Sequence, residues 1–245
     1  MFETEWGIDL KECINPDYYQ MSSCISEEHQ NILAITEAIA NIDPNIDSFS
    51  SFNLSFSEQE LDSINNFDTK DNYYGQTGSL LELEKSISYF IESITKDGNT
   101  NVSKAIIKNI DYILKASGYK DMNIKISIGK GRTAWHIDKS FDEVIKNENK
   151  YISPDYSHSF VFTLKGLPTI FLPTNEEVRN EFYSISKEYD FTHEANNIEN
   201  ITNYTNRVEA KSAVFMRSSK YGSIHTAPDG EDRVVFVISP LLEET

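Results

Sequence analysis

The sequence predicts an α+β protein, because helical patterns occupy its first half and strand patterns its second half. Up to Gly118, apolar residues recur at steps of three and four positions, as they do on one face of a helix. From Met122 onwards they alternate with polar residues or form short apolar runs. We therefore expect a helical region over residues 1–118, packed on a strand-rich core over residues 119–245.

The first helices are predicted from their N-terminal caps. Ser26 is placed to cap a helix whose isoleucines recur at helical spacing between positions 32 and 42. Ser57 and Ser79 are each followed three residues later by a glutamate, which is the spacing of a capping box. An amphipathic pattern follows Ser79 directly, so a helix is expected to begin there.

A further helix is predicted from Ser103 to Gly118. Its isoleucines lie on one face, and glycine suits the left-handed conformation that follows many helix C-termini. The intervening stretches 48–55 and 68–78 are rich in Ser, Asn, Asp and Gly. We predict loops for both of them.

After Gly118 the sequence predicts a series of strands, several of them apolar on both faces. Such strands are expected where one face lines a barrel and helices cover the other. Residues 175–207 interrupt the series as an insertion, which starts with helical spacing of Val178, Phe182, Ile185 and Tyr189 and ends in an Asn-rich tail. The predicted strands are Met122–Ile128, Ser159–Leu164, Pro168–Leu172, Ala213–Met216 and Val234–Ile238.

The composition disfavours several classes of partner. The net charge is −17 at pH 7, and such a field repels phosphate, which disfavours nucleic acid and anionic membranes. Cys13 and Cys24 are too few for a disulfide framework and indicate a reducing compartment. The N-terminus lacks the order of a signal peptide, and no apolar run reaches the roughly 20 residues of a membrane span. We expect a cytoplasmic protein, and the sequence does not indicate its oligomeric state.

The candidate metal ligands are His136, Asp138 and His225. In an extended segment residues i and i+2 point the same way, so the first two side chains can face one ion. Two imidazoles and one carboxylate can hold a non-haem Fe(II) and leave positions open for a co-substrate and O₂. Arg233, at the head of the last strand, offers a planar guanidinium to a carboxylate beside that metal.

This arrangement resembles the 2-oxoglutarate/Fe(II)-dependent oxygenase superfamily. The resemblance covers about residues 123–240 and implies a double-stranded β-helix, a cupin-like jelly roll, with iron at one mouth. It also implies that 2-oxoglutarate chelates the iron held by the three ligands and pairs its distal carboxylate with a basic residue. The matching blocks are Trp135 to Asp138, Gly166 to Thr169, and Ile224 to Arg233.

The anchor of 2-oxoglutarate is predicted to be Arg233, with Lys165 as the alternative. Many members of the superfamily have a Ser or Thr two residues after the Arg, where this chain has Val235. Some branches take a Lys from the strand after His-x-Asp, and Thr163 would then contribute a hydroxyl. The other interpretation of Arg233 is a local ion pair with the acids of segment 229–232.

The resemblance also narrows the expected reaction. Halogenating relatives lack the acidic ligand, so Asp138 favours hydroxylation of a small molecule or a peptide side chain, with 2-oxoglutarate converted to succinate. Trp135 and Tyr221 flank the metal motifs and are expected to contact the substrate, with the 175–207 insertion as a lid. The alternative is a non-catalytic, metal-binding cupin-like protein with a binding or regulatory role.

Overall fold

The computed structural model contains five helices and twelve strands among the residues that it describes. Helices precede most of the strands along the chain, as the α+β prediction requires. The described residues are 26–40, 49–70, 72–130, 134–138, 158–172, 175–188, 192–195, 206–207, 212–217, 222–228 and 233–241.

The predicted helix caps are present. The Ser57 hydroxyl accepts a hydrogen bond from the Glu60 amide at 3.3 Å, and the Glu60 carboxylate accepts one from the Ser57 amide at 2.7 Å. Gly118 follows the fourth helix with φ of 74°, the left-handed conformation that glycine adopts without strain. The helices are α1 (Glu27–Ala40), α2 (Glu58–Asn65), α3 (Leu80–Ile94), α4 (Asn101–Ser117) and α5 (Glu176–Ile185).

The strands form two six-stranded antiparallel sheets. The major sheet has the order β1-β10-β5-β12-β3-β2, with the strands β1 (Phe49–Asn53), β2 (Asn72–Ser79), β3 (Asp121–Gly129), β5 (His158–Lys165), β10 (Ser212–Arg217) and β12 (Arg233–Leu241). The minor sheet has the order β7-β8-β4-β11-β6-β9, with β4 (Trp135–Asp138), β6 (Ile170–Phe171), β7 (Lys187–Glu188), β8 (Thr192–Ala195), β9 (Asn206–Arg207) and β11 (His225–Thr226).

Eight of these strands follow the path of a jelly roll. In chain order β3, β4, β5 and β6 alternate between the major and minor sheets, and β9, β10, β11 and β12 return in the same alternation. The returning strands insert between the outgoing ones, so β12 lies between β5 and β3, and β11 lies between β4 and β6. The predicted double-stranded β-helix is therefore confirmed by the strand order itself.

The first four helices pack on the outer face of the major sheet, as predicted. Ile87 and Ile91 of α3 and Ile106 of α4 are fully buried in one cluster with strand residues such as Phe162 and Phe236. The phenyl rings of the last two stack with their centroids 4.8 Å apart. This cluster is the largest apolar core in the described part of the chain.

The inner face of the major sheet faces the minor sheet across the barrel. Val161 and Met216 of the major sheet are buried against Phe171 of the minor sheet. Val235 also lies on this inner face, whereas its neighbour Val234 is buried among the helices. Alternate residues of a strand thus serve the barrel and the helix layer, which explains why the strand is apolar on both faces.

Two predicted loops are wrong, because the stretches 48–55 and 68–78 contain strands. β1 pairs with β10, and β2 pairs with β3 over eight residue pairs, so these strands form the two edges of the major sheet. Edge strands have one pairing side open to solvent, which permits the polar and glycine-rich composition that reads as a loop. Region 1–118 therefore contributes strands to the sheet as well as helices.

The insertion begins with the predicted helix, α5, which packs on the outer face of the minor sheet. Val178 and Phe182 are buried there against Ile137 and Leu172, and Tyr189 lies outside the described residues. The hairpin β7–β8 then extends the minor sheet beyond β4. None of the five described helices has the length and apolar content that a membrane crossing requires.

Candidate metal centre

Adjacent strands of the minor sheet bring the three predicted ligands together. His136 and Asp138 lie two residues apart on β4, so both side chains project from the same face. His225 on β11 pairs directly with His136, although 89 positions separate them in sequence numbering (225 − 136). Phe171, the other cross-strand partner of His225, lies in the barrel interior, which identifies the face that carries the ligands.

The ligand atoms are spaced for one shared ion. His225 Nε2 lies 3.6 Å from Asp138 Oδ2, and His136 Nε2 lies 3.9 Å from Asp138 Oδ1. One ligand atom from each of the three residues lies within 4.8 Å of the others. Two ligand atoms that are each about 2.1 Å from one ion are separated by roughly 3 to 4 Å. The three residues therefore fit one metal ion if the distances between their ligand atoms shorten slightly.

Backbone carbonyls orient both imidazoles. His136 Nδ1 donates to the Ala134 carbonyl oxygen at 2.8 Å, and His225 Nδ1 donates to the Ser223 carbonyl oxygen at 3.0 Å. A neutral imidazole that donates from Nδ1 carries its lone pair on Nε2, the atom that faces Asp138 in each case. The protein therefore selects the tautomer that a metal needs.

The site is buried on the histidine side and open on the carboxylate side. His136 and His225 are 8% and 6% exposed, and the Phe171 ring stacks on His225 with a centroid distance of 5.6 Å. The Asp138 side chain is 35% exposed. A metal held here would have protein on one side and an accessible approach on the other, as a centre with open coordination positions requires.

Arg233 is a buried cation without a carboxylate partner among the described residues. It is 3% exposed, and burial lowers the pKa of its guanidinium to about 10. Its Nε donates to the Leu167 carbonyl oxygen at 2.8 Å, and one terminal nitrogen donates to the Thr169 hydroxyl at 3.2 Å. Since a guanidinium has five N–H donors, three remain for an anion, and a carboxylate would offset the desolvation of the charge.

Arg233 also projects into the barrel interior, where an anion bound to it could reach a metal held by the triad. It is two residues before Val235, so both side chains are directed to the inner face of the major sheet. Its partner Thr169 directly precedes Ile170, which pairs with Thr226 beside His225. The ion pair with acids of segment 229–232 involves residues outside the described part, and Arg233 forms no ion pair with a described residue.

The alternative anchor, Lys165, is turned away from the barrel. Thr163 pairs with Val235 but Lys165 pairs with Val234, so β5 has one extra residue at this point, a β-bulge. The bulge directs Lys165 to the helix side, where its ammonium donates to the Phe67 carbonyl oxygen at 2.8 Å. Thr163 is 5% exposed and stays on the inner face, so its hydroxyl remains a candidate hydrogen-bonding group for 2-oxoglutarate.

Trp135 is not brought to the metal face. It is one residue away from His136 and therefore projects from the opposite side of β4, where it packs against the cluster around Ile137 and Phe182. Its expected contact with the substrate is not supported by this placement. Tyr221 lies outside the described residues. The helix α5 packs behind the sheet, so it does not cover the mouth as the predicted lid would.

Sequence reasoning missed two polar residues of the site, Thr169 and Glu194. Thr169 is buried and bonds to Arg233, and Glu194 on β8 pairs with His136. The block Gly166 to Thr169 contributes to the resemblance, but the resemblance assigns no role to Thr169. Nothing in the sequence indicates that Glu194 lies beside β4, because that depends on how the insertion pairs.

Comparison with solved structures gives remote similarities. An iron and alpha-ketoglutarate-dependent endoperoxidase, NvfI, is 11% identical, with a TM-score of 0.39 over 81% of this chain and 80% of its own. A Trichoplax adhaerens prolyl hydroxylase bound to a hypoxia inducible factor peptide is 8% identical, with a TM-score of 0.42 over 91% of this chain and 92% of its own. A Pseudomonas putida prolyl-4-hydroxylase is 10% identical, with a TM-score of 0.39 over 85% of this chain and 97% of its own.

Neither family models nor curated sequences extend this result. No protein-family model matches the chain, and no curated protein matches its sequence. The fold and the site are defined without these comparisons, by the strand order and by the distances within the triad. Together they define a jelly-roll protein with a candidate iron-binding triad of two histidines and one aspartate.

Proposed function

We propose that the protein is an Fe(II)/2-oxoglutarate-dependent oxygenase that hydroxylates a small molecule or a peptide side chain. The observation that carries the proposal is the His136–Asp138–His225 triad, in which both Nε2 atoms face one carboxylate at 3.6 and 3.9 Å. Two nitrogens and one oxygen on one side of an ion are the donor set of non-haem Fe(II) oxygenases.

Arg233 supports the assignment of 2-oxoglutarate as the co-substrate. A buried guanidinium that bonds to one carbonyl and one hydroxyl has donors left for a carboxylate. In our proposal Arg233 binds the distal carboxylate, while the 2-oxo acid end reaches the metal. Thr169 and the Leu167 carbonyl hold the plane of the guanidinium, and Thr163 supplies a further hydroxyl on the same inner face.

The protein contributes binding, orientation and exclusion of water to this reaction. Iron and 2-oxoglutarate, once bound, would supply the oxidation: O₂ would convert 2-oxoglutarate to succinate and CO₂, and its second oxygen atom would become a hydroxyl group of the substrate. The carbonyls of Ala134 and Ser223 keep both imidazoles in the metal-binding tautomer. Phe171 and the apolar barrel keep water from the histidine side, whereas the exposed Asp138 marks the substrate side.

Partners and location are proposed from charge and composition. The net charge of −17 favours small or peptide substrates over nucleic acid and anionic membranes. The two cysteines are too few for a disulfide framework and favour a reducing compartment, for which we propose the cytoplasm. Asp138 occupies the position that a halide would need, which favours hydroxylation or a related oxidation.

An anaerobic absorption titration tests the proposal. Fe(II) added with 2-oxoglutarate should produce a weak visible charge-transfer band, and admission of O₂ should convert 2-oxoglutarate to succinate. His136→Ala should abolish both signals, whereas His29→Ala, in an exposed histidine of α1, should leave them unchanged.

The outcomes separate the two functions considered for this site. Bound Fe(II) without the band at saturating 2-oxoglutarate would favour the non-catalytic metal-binding protein. Failure of the wild-type chain to bind Fe(II), Mn(II) or Zn(II) would contradict both.

A further inference from the structure

The minor sheet continues past the metal ligands through the β7–β8 hairpin. Residues paired across neighbouring strands form one row: Lys187 on β7, Glu194 on β8, His136 on β4 and His225 on β11. Directly paired residues project from the same face, with Cβ atoms about 4.5–5.5 Å apart. Glu194 therefore lies beside a metal ligand and on the face that carries the metal.

Glu194 is placed next to the triad without belonging to it. Within the described residues, the only group of potential ligands close enough to share an ion is His136, Asp138 and His225. Glu194 is half-buried, whereas Lys187 at the outer end of the row is exposed and forms no ion pair with a described residue. The acidic member of the pair is the one nearer the metal.

The two flanks of the triad differ in their charged residues. On the β6 side, Thr169 bonds to the buried Arg233, whose guanidinium suits an anionic co-substrate. On the β8 side, Glu194 brings a carboxylate next to His136, and Lys187 lies one strand further from the triad. β4 and β11 lie between them, so one molecule held at Arg233 and another at Glu194 would meet at the metal.

We propose that Glu194 is a specificity-determining residue that binds an ammonium or guanidinium group of the substrate. The inference rests on the proposed oxygenase function and names its substrate class: a cationic small molecule or a peptide with a Lys or Arg side chain. A half-buried carboxylate pairs with a cation more strongly than a surface carboxylate does, because solvent screens the pair less. The negative field of the chain attracts the same class of ligand.

Paramagnetic relaxation measures binding near the metal without catalysis. The full chain is loaded with Mn(II) and 2-oxoglutarate, and proton relaxation is followed for butylguanidine and for the peptide acetyl-Gly-Arg-Gly-amide, each of which carries one guanidinium as its only charge. Butylurea and the same capped peptide with citrulline in place of arginine are the matched neutral controls. We expect the cationic probes to relax faster than their neutral analogues. A stronger enhancement for the small cation would indicate a small-molecule substrate, and a stronger enhancement for the peptide would indicate a peptide substrate.

Glu194→Gln should weaken the enhancement of the better cationic probe by about threefold to tenfold, the range for loss of a partly shielded ion pair. Glu177→Gln is the control, since it removes the same charge from an exposed position of α5 on the other side of the sheet. Equal enhancement in the two variants, or no preference for the cationic probes, would overturn the inference.

Metal loading distinguishes this result from a failure of the proposed function. Water-proton relaxation reports Mn(II) binding in the same samples. Bound Mn(II) and turnover of 2-oxoglutarate by the Fe(II) protein, together with an unaltered Glu194→Gln variant, would overturn the Glu194 inference alone. Absence of metal binding in the wild-type chain would overturn both.

Discussion

The two sheets of the barrel differ in length, in chemistry and in what covers them. In the major sheet β3 and β12 are nine residues long and pair along their whole length, and helices bury their outer face. The strands of the minor sheet are two to four residues long, yet this sheet carries both histidines and the aspartate. The fold thus places the largest apolar core on the major sheet and the three candidate metal ligands on the minor sheet, while Arg233 reaches the same interior from β12 of the major sheet.

The physical basis of the difference is the area that each sheet buries. The cluster between the helices and the major sheet contains aromatic and branched side chains such as Tyr112, Phe162 and Phe236, which are almost fully buried. The cluster behind the minor sheet, around Phe182, is much smaller. Buried polar groups such as His136 and Arg233 are destabilising without partners, so they depend on a scaffold stabilised elsewhere.

The largest expected effect is loss of stability when the helix-packed core is disrupted. Phe236→Ala removes a fully buried ring that stacks on Phe162, and we expect about 3–5 kcal/mol less free energy of unfolding. Urea denaturation followed by circular dichroism measures it. Leu81→Ala is the control, since Leu81 is 86% exposed and its loss should change stability by less than about 0.5 kcal/mol. Similar losses of stability in the two variants would contradict the view that the helix-packed core of the major sheet supplies most of the stability.

The next effect concerns the minor sheet, which carries the three candidate metal ligands. His225→Ala should lower metal affinity by more than about 100-fold, because even partners outside the coordination sphere change it by 10- to 100-fold. The circular dichroism spectrum and the urea midpoint should stay close to those of the wild type. Equilibrium dialysis with Fe(II) under anaerobic conditions measures the affinity. An unfolded variant would show that the minor sheet also carries stability.

Arg233→Gln should affect the co-substrate and leave the metal in place. Loss of charge-assisted hydrogen bonds should weaken 2-oxoglutarate binding roughly 10- to 100-fold. With a pKa of about 10 the guanidinium is charged at neutral pH, so its contribution should persist there and decline only as the pH rises towards 10. Isothermal titration of the Mn(II) protein measures the affinity. A larger loss in Lys165→Met would instead identify Lys165 as the anchor.

The smallest effect concerns a helix cap of the stabilising layer. Ser57→Ala removes the hydroxyl that accepts from the Glu60 amide, and we expect about 1 kcal/mol less stability. Urea denaturation is again the measurement. Ser184→Ala serves as the control, because that hydroxyl only donates back to the Glu181 carbonyl within α5. Loss of 2-oxoglutarate turnover at full stability in Ser57→Ala would show that the layers are coupled.

Local patterns predicted much of this structure correctly. The correctly predicted features depend on neighbouring residues, which the sequence displays directly: the capping box at Ser57, the C-cap at Gly118 and the strands β3, β5, β6, β10 and β12. The same period of two that placed His136 and Asp138 together also places Trp135 on the opposite face. The position of Trp135 on the face opposite the ligands could therefore have been predicted from the sequence alone.

Other features depend on contacts between distant residues. β1 and β2 are strands because β10 and β3 pair with them, not because of their own composition. The bulge in β5 turns Lys165 towards Phe67, and a strand register places Glu194 beside His136. None of these has a local pattern in the sequence.

By itself the sequence determined the α+β class and several helix ends, because periodicity and capping operate over a few residues. Its motifs also identified the three candidate ligands, through their resemblance to a known superfamily. The tertiary structure alone decided which residues surround that triad. It brought Arg233 to Thr169 rather than to an acid of the described residues, turned Lys165 and Trp135 away, and added Glu194 to the metal face. Register and bulges set these contacts, and both are fixed by pairing between strands far apart in the chain.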